Sequence, residues 1–384
     1  MSKAYLILAD GTVFEGSSIG AEGKTIGETV FTTGMTGYIE TLTDPSYFGQ
    51  IVTQTFPLIG NYGVIAEDTE SKKSWVRGYI VRELCDKPSN FRCEEDLDSF
   101  LKQQNIIGIQ GIDTRKLTKI LREAGVMNGM ILSGIESENL KVEKFLDEIR
   151  SYKIENAVES VQSLCKGETA PTIANCSSLT PNSSLITPNF SVCLYDFGAK
   201  MNIERELEKR GCKVTVVPYD TSADEIIKLA PDGIMLSNGP GDPAENVGVI
   251  SEIKKLCEYG KIPVFGICLG HQMLALARGA TTCKLKYGHR GGNQPVKYIE
   301  TGRVYISSQN HGYAVENGSI PSFAKMSFFN VNDGTCEGIE YTDIPAFSVQ
   351  FHPEACSGPH DTNFLFDKFI KMMEESEGAN HATK

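Results

Sequence analysis

From Phe190 onward, short apolar runs alternate with segments that carry apolar residues at helical spacing. The runs FSVCLYDFG, KVTVVPYD, DGIMLSNGPG and IPVFGICLG are each followed by such a segment. Strands buried on both faces read as continuous apolar runs, and intervening helices imply parallel pairing. The pattern predicts a mostly parallel central sheet flanked by helices, with any ligand at the carboxyl ends of its strands.

The first part of the chain has a different pattern. Stretches rich in β-branched residues and glycine, such as TVFEGSSIG and QIVTQTF, predict strands, and IDTRKLTKILREAG at 112–125 predicts a helix. We therefore expect a mixed α/β domain over 1–150. Residues 151–189 are crowded with Ser, Thr, Asn and Pro and predict a connection. The second domain then covers 190–375, and 376–384 form a flexible tail.

Composition narrows the class of protein. A chain of 384 residues exceeds what a single core usually holds, so two domains are expected. No apolar run approaches the length of a membrane span. The apolar stretch within MSKAYLILADG is too short for the hydrophobic region of a secretory signal, which favours a cytoplasmic protein. The formal charge of −12 disfavours nucleic acid and anionic membranes as partners. Small molecules and other proteins remain.

The cysteines indicate free thiols rather than a disulfide framework. The chain has 11 of them, an odd number, without a predicted secretory signal. There is no CxxC pair and no Cys/His cluster at zinc spacing, so no metal site is expected.

One cysteine has a distinctive setting. Cys268 lies between Gly266 and Gly270 in VFGICLGHQMLALA, where a strand predicted over 262–267 gives way to a helix. A strand-to-helix turn holds a side chain above the sheet, flanking glycines permit the bend, and a helix N-terminus favours the thiolate. Cys268 is therefore placed as a nucleophile. Taken alone, however, the pattern slightly favours a small core residue.

A base and its orienting acceptor are present in FSVQFHPEA. His352 and Glu354 flank Pro353, and in an extended backbone residues two apart point to the same side, where they can hydrogen-bond. Together with Cys268 they would form a triad in the order Cys, His, Glu. A surface histidine with a chance acidic neighbour is the alternative reading of HPE alone.

Four motifs together resemble the class I (triad) glutamine amidotransferase family: LSNGPGDP, GICLGHQ, QNHGY and QFHPE, in that family's order and spacing. Further segments resemble the small, glutamine-hydrolysing subunits of carbamoyl phosphate synthetases. These are YDFGAKMNI, LKYGHRGGNQPV and SGPHDTNFLFDKFI, and, in the first half, ADGTVFEGSSIG, FTTGMTGYIETLTDPSYFGQIV, FPLIGNYG and GIQGIDTRKLTKILREAG. The resemblance covers nearly the whole chain outside the connection.

The resemblance implies glutamine hydrolysis through a cysteine thioester. The Cys268 thiolate would attack the side-chain amide of L-glutamine, His352 would transfer the proton, and Glu354 would orient the imidazole. The oxyanion would be held by the backbone N–H groups of Leu269 and Gly241.

The remaining glutamine-binding residues are also implied by the resemblance. They are Ser46, Gly239, Gln272, Asn310, Gly312 and Tyr313. Because Ser46 lies in the first half, that half would help to complete the glutamine site. NGPGDP lacks the Lys-Ser/Thr of a phosphate loop, so an oxyanion turn is the favoured interpretation.

Several neighbouring residues are ambiguous. His289 and His311 fit turn or pocket positions better than additional catalytic roles. Arg290 and Gln294 depart from the residues expected in bacterial relatives, which affects only the edge of the pocket.

The resemblance also implies a partner. The chain contains no ATP-grasp or P-loop motif. ATP and Mg would therefore be bound by a large synthetase subunit, which receives ammonia through a tunnel and makes carbamoyl phosphate for arginine or pyrimidine synthesis. The expected assembly is a heterodimer, docked through the first domain, with no cofactor in this chain.

Two other interpretations are weaker. A non-catalytic scaffold or regulatory subunit would not need Cys268, His352 and Glu354. An amidotransferase subunit of another pathway, such as those of anthranilate or GMP synthesis, would lack the segment DPSYFGQ.

Overall fold

In the computed structural model, which describes residues 2–134, 140–162 and 190–382, the chain divides into two units. The first comprises Met1–Ala157 and Leu285–Gly292, and the second comprises Val158–Lys284 and Asn293–Lys384. Most of the expected connection, 163–189, lies outside the described residues.

The segment Leu285–Gly292 belongs to the first unit although the sequence pattern assigns it to the second domain. The backbone N–H of Val126 donates to the carbonyl oxygen of Lys286 at 2.9 Å. The rings of Phe31 and Tyr287 pack with their centroids 6.2 Å apart. These contacts join residues far apart in sequence, which is why local patterns do not reveal them.

Before residue 163 the described elements are short strands interspersed with helices. The strands are β1 Lys3–Leu8, β2 Val13–Gly20, β3 Lys24–Thr32, β4 Gln50–Gln54, β5 Leu58–Ile59, β6 Gly78–Ile80, β7 Glu83–Leu84, β8 Ile107–Gln110 and β9 Met127–Ser133. The helices are α1 Tyr38–Thr43, α2 Leu97–Gln103, α3 Thr114–Ala124, α4 Glu143–Ser151 and α5 Ala157–Val161.

The main sheet of the first unit closes into a barrel in the order β1-β2-β8-β6-β4-β3-β9. The first apolar run of the chain forms β1, which is buried on both faces. Leu6 and Leu8 pack in one cluster with Ile51, whereas Ile7 packs in another with Ile149 of α4. The mixed α/β class is as predicted, and the closure of the sheet is a further feature.

Helix α3 illustrates how local sequence sets an element's ends. The Asp113 side chain accepts a hydrogen bond from the Lys116 backbone N–H at 2.9 Å and caps the start. Leu117 and Leu121 form the buried face, and the helix stops before Gly125. The helix predicted over 112–125 is therefore one or two residues shorter at each end.

From Phe190 the described elements follow the predicted alternation of strands and helices. The strands are β10 Phe190–Asp196, β11 Cys212–Pro218, β12 Gly233–Leu236, β13 Val264–Ile267, β14 Thr282–Tyr298, β15 Val304–Val315, β16 Ala324–Asn330, β17 Cys336–Tyr341 and β18 Ala346–Val349. The helices are α6 Met201–Glu208, α7 Ala223–Leu229, α8 Val247–Tyr259, α9 Leu269–Ala277 and α10 Phe364–Ala382.

The second sheet has the order β11-β10-β12-β13-β18-β17-β16-β14-β15. Pairing is parallel from β11 to β18 and antiparallel from β18 through β17 and β16 to β14. Neighbours along β12 face opposite sides: Met235 packs with Ile203 of α6, and Leu236 packs with Met273 of α9. This two-sided burial explains the continuous apolar runs.

The parallel part of the sheet determines where a site can form. From β10 the chain crosses to β11 on one side and returns to β12 on the other, so the strand order reverses at β10. The carboxyl ends of β10, β12, β13 and β18 lie side by side at one edge. A reversal of this kind opens a crevice at that edge.

The expected flexible tail, 376–384, overlaps the last helix, and its flexibility stays a prediction. Helix α10 runs to Ala382, through most of 376–384. Phe366, Phe369 and Met373 anchor its first half in the core, and a run rich in Met and Glu continues the helix. None of the helices in the described ranges combines the length and apolar character that crossing a membrane requires.

Candidate active site

Cys268 lies at the sharp turn between β13 and α9. Its backbone has φ 52° and ψ −102°, a conformation that residues other than glycine rarely adopt. Its N–H donates to the carbonyl oxygen of Val349 at 2.9 Å, and its carbonyl oxygen accepts from the N–H of Gln272 at 3.2 Å. The neighbouring strand and the first helical turn therefore hold the strained residue in place.

The two glycines around Cys268 are needed for close backbone packing. The unusual dihedral angles of the turn belong to Cys268 itself. A Cβ on Gly270 would lie 2.3 Å from the carbonyl oxygen of Leu236. A Cβ on Gly266 would lie 2.9 Å from the carbonyl group of Gly270. The expected role of the glycines is thus refined: they let β12, β13 and α9 approach, while Cys268 itself makes the bend.

The thiol of Cys268 is buried and has two polar neighbours. It donates to the backbone carbonyl oxygen of Asn310, with Sγ and oxygen 3.7 Å apart. It accepts from the side-chain amide of Gln350, whose Nε2 lies 3.6 Å from Sγ. The predicted pocket residue Asn310 therefore contacts the sulfur through its main chain.

His352 and Glu354 form the expected contact, with Nδ1 2.7 Å from Oε1 and both side chains buried. The backbone differs from the expected extended link. His352 forms an isolated bridge to Ser308 of β15, and Pro353 and Glu354 lie in a turn, which suits the fixed φ of proline. A carboxylate only accepts hydrogen bonds, so Nδ1 carries the proton.

That tautomer leaves Nε2 of His352 for chemistry. Within the described ranges, neither Nε2 of His352 nor Oε2 of Glu354 has a hydrogen-bond partner. Because β18 pairs directly with β13, His352 and Cys268 follow neighbouring strands at the same edge of the sheet. Nε2 is thus the atom that can exchange a proton at this site.

Lys200 is a member of the site that sequence reasoning missed. Its Nζ lies 3.5 Å from Oε1 of Glu354 and 3.3 Å from Nδ1 of His352, and the side chain is buried. Since Nδ1 already donates to Glu354, the carboxylate is the partner of the ammonium group. The sequence signal is a lysine in YDFGAKMNI, in the short connection between β10 and α6.

In this cluster, the net effect of nearby charges and hydrogen bonds on the pKa values of His352 and Glu354 outweighs the effect of burial. Burial and the positive charge of Lys200 lower the pKa of His352, but Glu354 and Cys268 raise it, and the net pKa is above the ordinary histidine value. Burial raises the pKa of Glu354, but His352 and Lys200 outweigh it and hold that pKa well below its usual range. The site therefore favours an ionised Glu354 and a protonated His352.

Gln272, predicted to bind glutamine, lies one helical turn after Cys268. Its Nε2 donates to the carbonyl oxygen of Tyr313 at 2.7 Å and to Oε1 of Gln350 at 2.9 Å. Tyr313 and the predicted residue Gly312 both lie in β15. The structure thus links Gln272 to Tyr313 directly and to the sulfur of Cys268 through Gln350.

The two predicted oxyanion residues lie in the Cys268 turn and in the loop after β12. Leu269 is the first residue of α9, where a backbone N–H has no partner within the helix. Gly241 has φ 89° in the loop after β12, and a Cβ on Gly239 would lie 2.2 Å from the carbonyl oxygen of Phe197. The loop is tied to the turn because Gly270 N–H donates to the carbonyl oxygen of Ser237 at 3.0 Å. Binding of an oxyanion here stays a prediction.

Some of the residues singled out in the sequence belong to the first unit. Ser46 is buried in a 3-10 turn, Pro45–Tyr47, and its N–H donates to the Asp44 side chain at 2.9 Å. His289 and Arg290 are buried as well, and Nη1 of Arg290 donates to the carbonyl oxygen of Tyr287 at 2.6 Å. The role of Ser46 in binding glutamine stays a prediction.

Other histidines have structural surroundings. His271 follows Gly270 but is fully buried, which lowers its pKa to about 3 and keeps it neutral, with Nδ1 2.8 Å from Ser348 Oγ. His311 donates from Nδ1 to the carbonyl oxygen of Tyr313 at 2.7 Å. His311 therefore supports the main chain of the pocket.

The hydrophobic clusters of the second unit contain four further buried cysteines among the described residues. Burial raises the pKa of Cys257 and of Cys336 to about 12, and that of Cys193 and of Cys212 to about 11. Thiols with such values stay protonated and unreactive at neutral pH.

The parallel sheet carries Cys268, His352 and Glu354 at the carboxyl ends of its strands, and the comparisons with known families assign its class. Residues 193–372 match the family Glutamine amidotransferase class-I, and residues 6–131 match the Carbamoyl-phosphate synthase small chain, CPSase domain.

Full-length relatives agree with both matches. The chain is 49% identical over 369 residues to the carbamoyl phosphate synthase small chain of Clostridium perfringens, covering 96% of this chain and 99% of that one. It is 48% identical over 386 residues to the small chain of Listeria monocytogenes, covering 100% of both. The protein belongs to the carbamoyl phosphate synthase small chain family.

Proposed function

We propose that this chain hydrolyses L-glutamine and delivers the ammonia to a large subunit that makes carbamoyl phosphate from bicarbonate and ATP. The observation that carries the proposal is the buried His352–Glu354 pair, 2.7 Å apart, beside the strained turn that presents Cys268. Membership of the carbamoyl phosphate synthase small chain family supports the choice of glutamine as substrate.

In the first half of the reaction the Cys268 thiolate adds to the side-chain carbonyl carbon of glutamine. The N–H groups of Leu269 and Gly241 stabilise the resulting oxyanion. When the tetrahedral intermediate collapses, the carbon–nitrogen bond breaks and Nε2 of the protonated His352 gives its proton to the departing nitrogen. Ammonia leaves, and a γ-glutamyl thioester remains on Cys268.

In the second half, water replaces ammonia. The now neutral His352 takes a proton at Nε2 from the attacking water, which adds to the thioester carbon. The carbon–sulfur bond then breaks, glutamate leaves, and the thiolate and protonated imidazole are restored. Glu354 remains ionised throughout and keeps the proton of Nδ1 directed toward itself.

The neighbouring residues fix the substrate. The carbonyl oxygen of Asn310 lies at the sulfur, and Gln272 is bound to the carbonyl oxygen of Tyr313. Gly312, in the same strand as Tyr313, and Gly239, in the loop after β12, are further binding residues of the proposal. Ser46 is also among the glutamine-binding residues of this proposal. Together these groups are expected to hold the α-amino and carboxylate groups of glutamine.

The partner in this proposal is a large synthetase subunit, with which the chain forms a heterodimer in the cytoplasm. That subunit binds ATP and Mg, while this chain uses no cofactor of its own. A small chain of a synthase implies a larger one that performs the synthesis. The product would enter arginine or pyrimidine synthesis.

The test uses the assembled complex of this chain with a large subunit. Cys268→Ser should abolish carbamoyl phosphate formation from glutamine and leave formation from free ammonia intact. Cys283→Ser, a partly exposed cysteine outside the site, is the matched control and should retain both activities. A Cys268→Ser complex that still uses glutamine would refute the assignment of the nucleophile.

A further inference from the structure

Gln350 is a buried polar residue to which the mechanism above gives no role. It follows β18 directly, precedes His352 by two residues and is 0% exposed. Its Nε2 lies 3.6 Å from Sγ of Cys268, and its Oε1 lies 2.9 Å from Nε2 of Gln272. It therefore joins the thiol to a residue of the predicted glutamine pocket.

The direction of these hydrogen bonds is determined by one backbone carbonyl. The oxygen of Tyr313 can only accept, so the amide nitrogen of Gln272, 2.7 Å away, must face it. The second N–H of that same nitrogen then points to Gln350, which must present its oxygen. The amide nitrogen of Gln350 is consequently left facing Sγ of Cys268.

Main-chain hydrogen bonds hold Gln350 in this position. Its N–H donates to the carbonyl oxygen of Glu337 at 2.9 Å, and the carbonyl oxygen of the preceding Val349 accepts from the N–H of Cys268 at 2.9 Å. These hydrogen bonds fix the backbone of Gln350 relative to β17, and that of the preceding residue relative to the strained turn. Its side chain cannot leave the sulfur without breaking the bond to Gln272.

The sulfur needs such a donor when it is ionised. The thiol can donate to the carbonyl oxygen of Asn310, but a thiolate has no proton to donate and is repelled by that oxygen. An N–H group aimed at the sulfur offsets this repulsion, and hydrogen bonds to charged groups are stronger than neutral ones. A glutamine supplies the donor without adding a charge that would disturb His352.

We propose that Gln350 is a catalytic residue that stabilises the Cys268 thiolate. The carbonyl oxygen of Tyr313 orients the amide of Gln272, which in turn orients the amide of Gln350. The inference rests on the proposed function, since glutamine hydrolysis is the reaction that this thiolate performs. It adds a donor on the sulfur to the groups that act on the oxyanion and the leaving nitrogen.

Two substitutions in the full chain separate the donor from the rest of the residue. Gln350→Leu removes both hydrogen bonds at similar volume. Gln350→Glu keeps an oxygen that can accept from Gln272 but replaces the donor facing Sγ with a second oxygen. Ser348→Ala is the matched control, because it removes a buried hydrogen bond between β18 and His271 without touching the sulfur.

Two rates are measured on each variant whose thermal unfolding matches that of Ser348→Ala. One is glutaminase turnover, and the other is alkylation of Cys268 by iodoacetamide, followed by mass spectrometry on its own peptide. Loss of a hydrogen bond to a charged group should lower kcat and the alkylation rate about 10- to 100-fold in both Gln350 variants. Ser348→Ala should stay within about twofold of the unsubstituted chain.

The pH dependence of Gln350→Glu adds a readout that a packing defect would not change. A protonated carboxyl can donate to the sulfur, whereas an ionised one repels the thiolate. Activity of this variant should therefore fall as pH rises, relative to Gln350→Leu. If the Leu variant unfolds, the Glu variant, with nearly unchanged volume, supplies the decisive data.

The two proposals fail in different ways. If either folded Gln350 variant is alkylated and turns over like Ser348→Ala, the role of Gln350 is refuted. If the unsubstituted chain with its large subunit does not hydrolyse glutamine, the proposed function is refuted, while the alkylation rates still decide whether Gln350 stabilises the thiolate.

Discussion

Nδ1 of His352 lies 2.7 Å from Oε1 of Glu354, across Pro353, and both side chains are buried. Lys200 approaches the same carboxylate oxygen to 3.5 Å. One imidazole is therefore subject to two opposite charges, and each can be removed separately. Their effects on the pKa of His352 have opposite signs, which makes the pH dependence of glutamine hydrolysis informative.

Glu354→Gln should lower turnover and shift its alkaline limit to lower pH. The negative charge of Glu354 raises the pKa of His352, whereas burial and Lys200 lower it. Without the charge, the imidazole loses its proton at a lower pH, and with it the acid that protonates the leaving nitrogen. We expect a loss of about 100-fold in kcat, measured as glutamate release across a pH series.

Glu340→Gln is the matched control for that substitution. Glu340 lies on β17, outside the site, and forms ion pairs with Lys325 and Lys368. Its replacement should leave the pH profile of hydrolysis unchanged. A Glu354→Gln profile with the same alkaline limit as the control would contradict the role given to the carboxylate.

Lys200→Met should shift the same alkaline limit in the opposite direction. Removing the positive charge takes away a cause that lowers the pKa of His352, so the protonated imidazole should persist to higher pH. The pKa of Glu354 should rise at the same time, because Lys200 helps to lower it. The measurement is again the pH profile of glutamate release, with the exposed Lys209→Met as control.

The two substitutions are most informative as a pair. Shifts of opposite sign in Glu354→Gln and Lys200→Met would establish that charge acts on His352. Shifts of the same sign would indicate a general disturbance of the site instead.

Sequence patterns predict the parallel strands of the second unit because those strands are buried on both faces. Met235 and Leu236 are adjacent, yet they pack against helices on opposite sides of the sheet. Consecutive residues of β12 are therefore apolar. Cys268, His352 and Glu354 were predicted from local motifs, since each follows a strand of that kind. Their catalytic roles stay predictions until the substitutions are measured.

The groups that sequence reasoning missed act across long separations. Lys200 lies 152 residues from His352, and Gln350 lies 82 residues from Cys268. No periodicity links such pairs, because only the parallel sheet brings them together. The barrel and the placement of Leu285–Gly292 in the first unit depend equally on distant contacts.

Gly270→Ala should destabilise the second unit and reduce glutamine hydrolysis. The added Cβ would meet the backbone oxygen of Leu236 at 2.3 Å, so either β12 or the start of α9 must move. Overpacking of this kind costs about 1–3 kcal/mol of unfolding free energy. Urea unfolding followed by circular dichroism measures that loss.

Gly248→Ala provides the comparison for Gly270→Ala. Gly248 lies in α8, and a Cβ there has no atom within 4 Å. This substitution should stabilise the helix by about 0.5–1 kcal/mol. Equal effects at the two glycines would contradict the close packing of the turn.

The central claim is that Cys268 forms a covalent γ-glutamyl thioester, and acid quenching during turnover tests it most directly. Mass spectrometry of the peptide containing Cys268 should show a γ-glutamyl adduct with glutamine as substrate. The adduct should be absent when glutamate replaces glutamine and absent in Cys268→Ser. Continued glutamine hydrolysis by Cys268→Ser, with no adduct on the unsubstituted chain, would contradict the account.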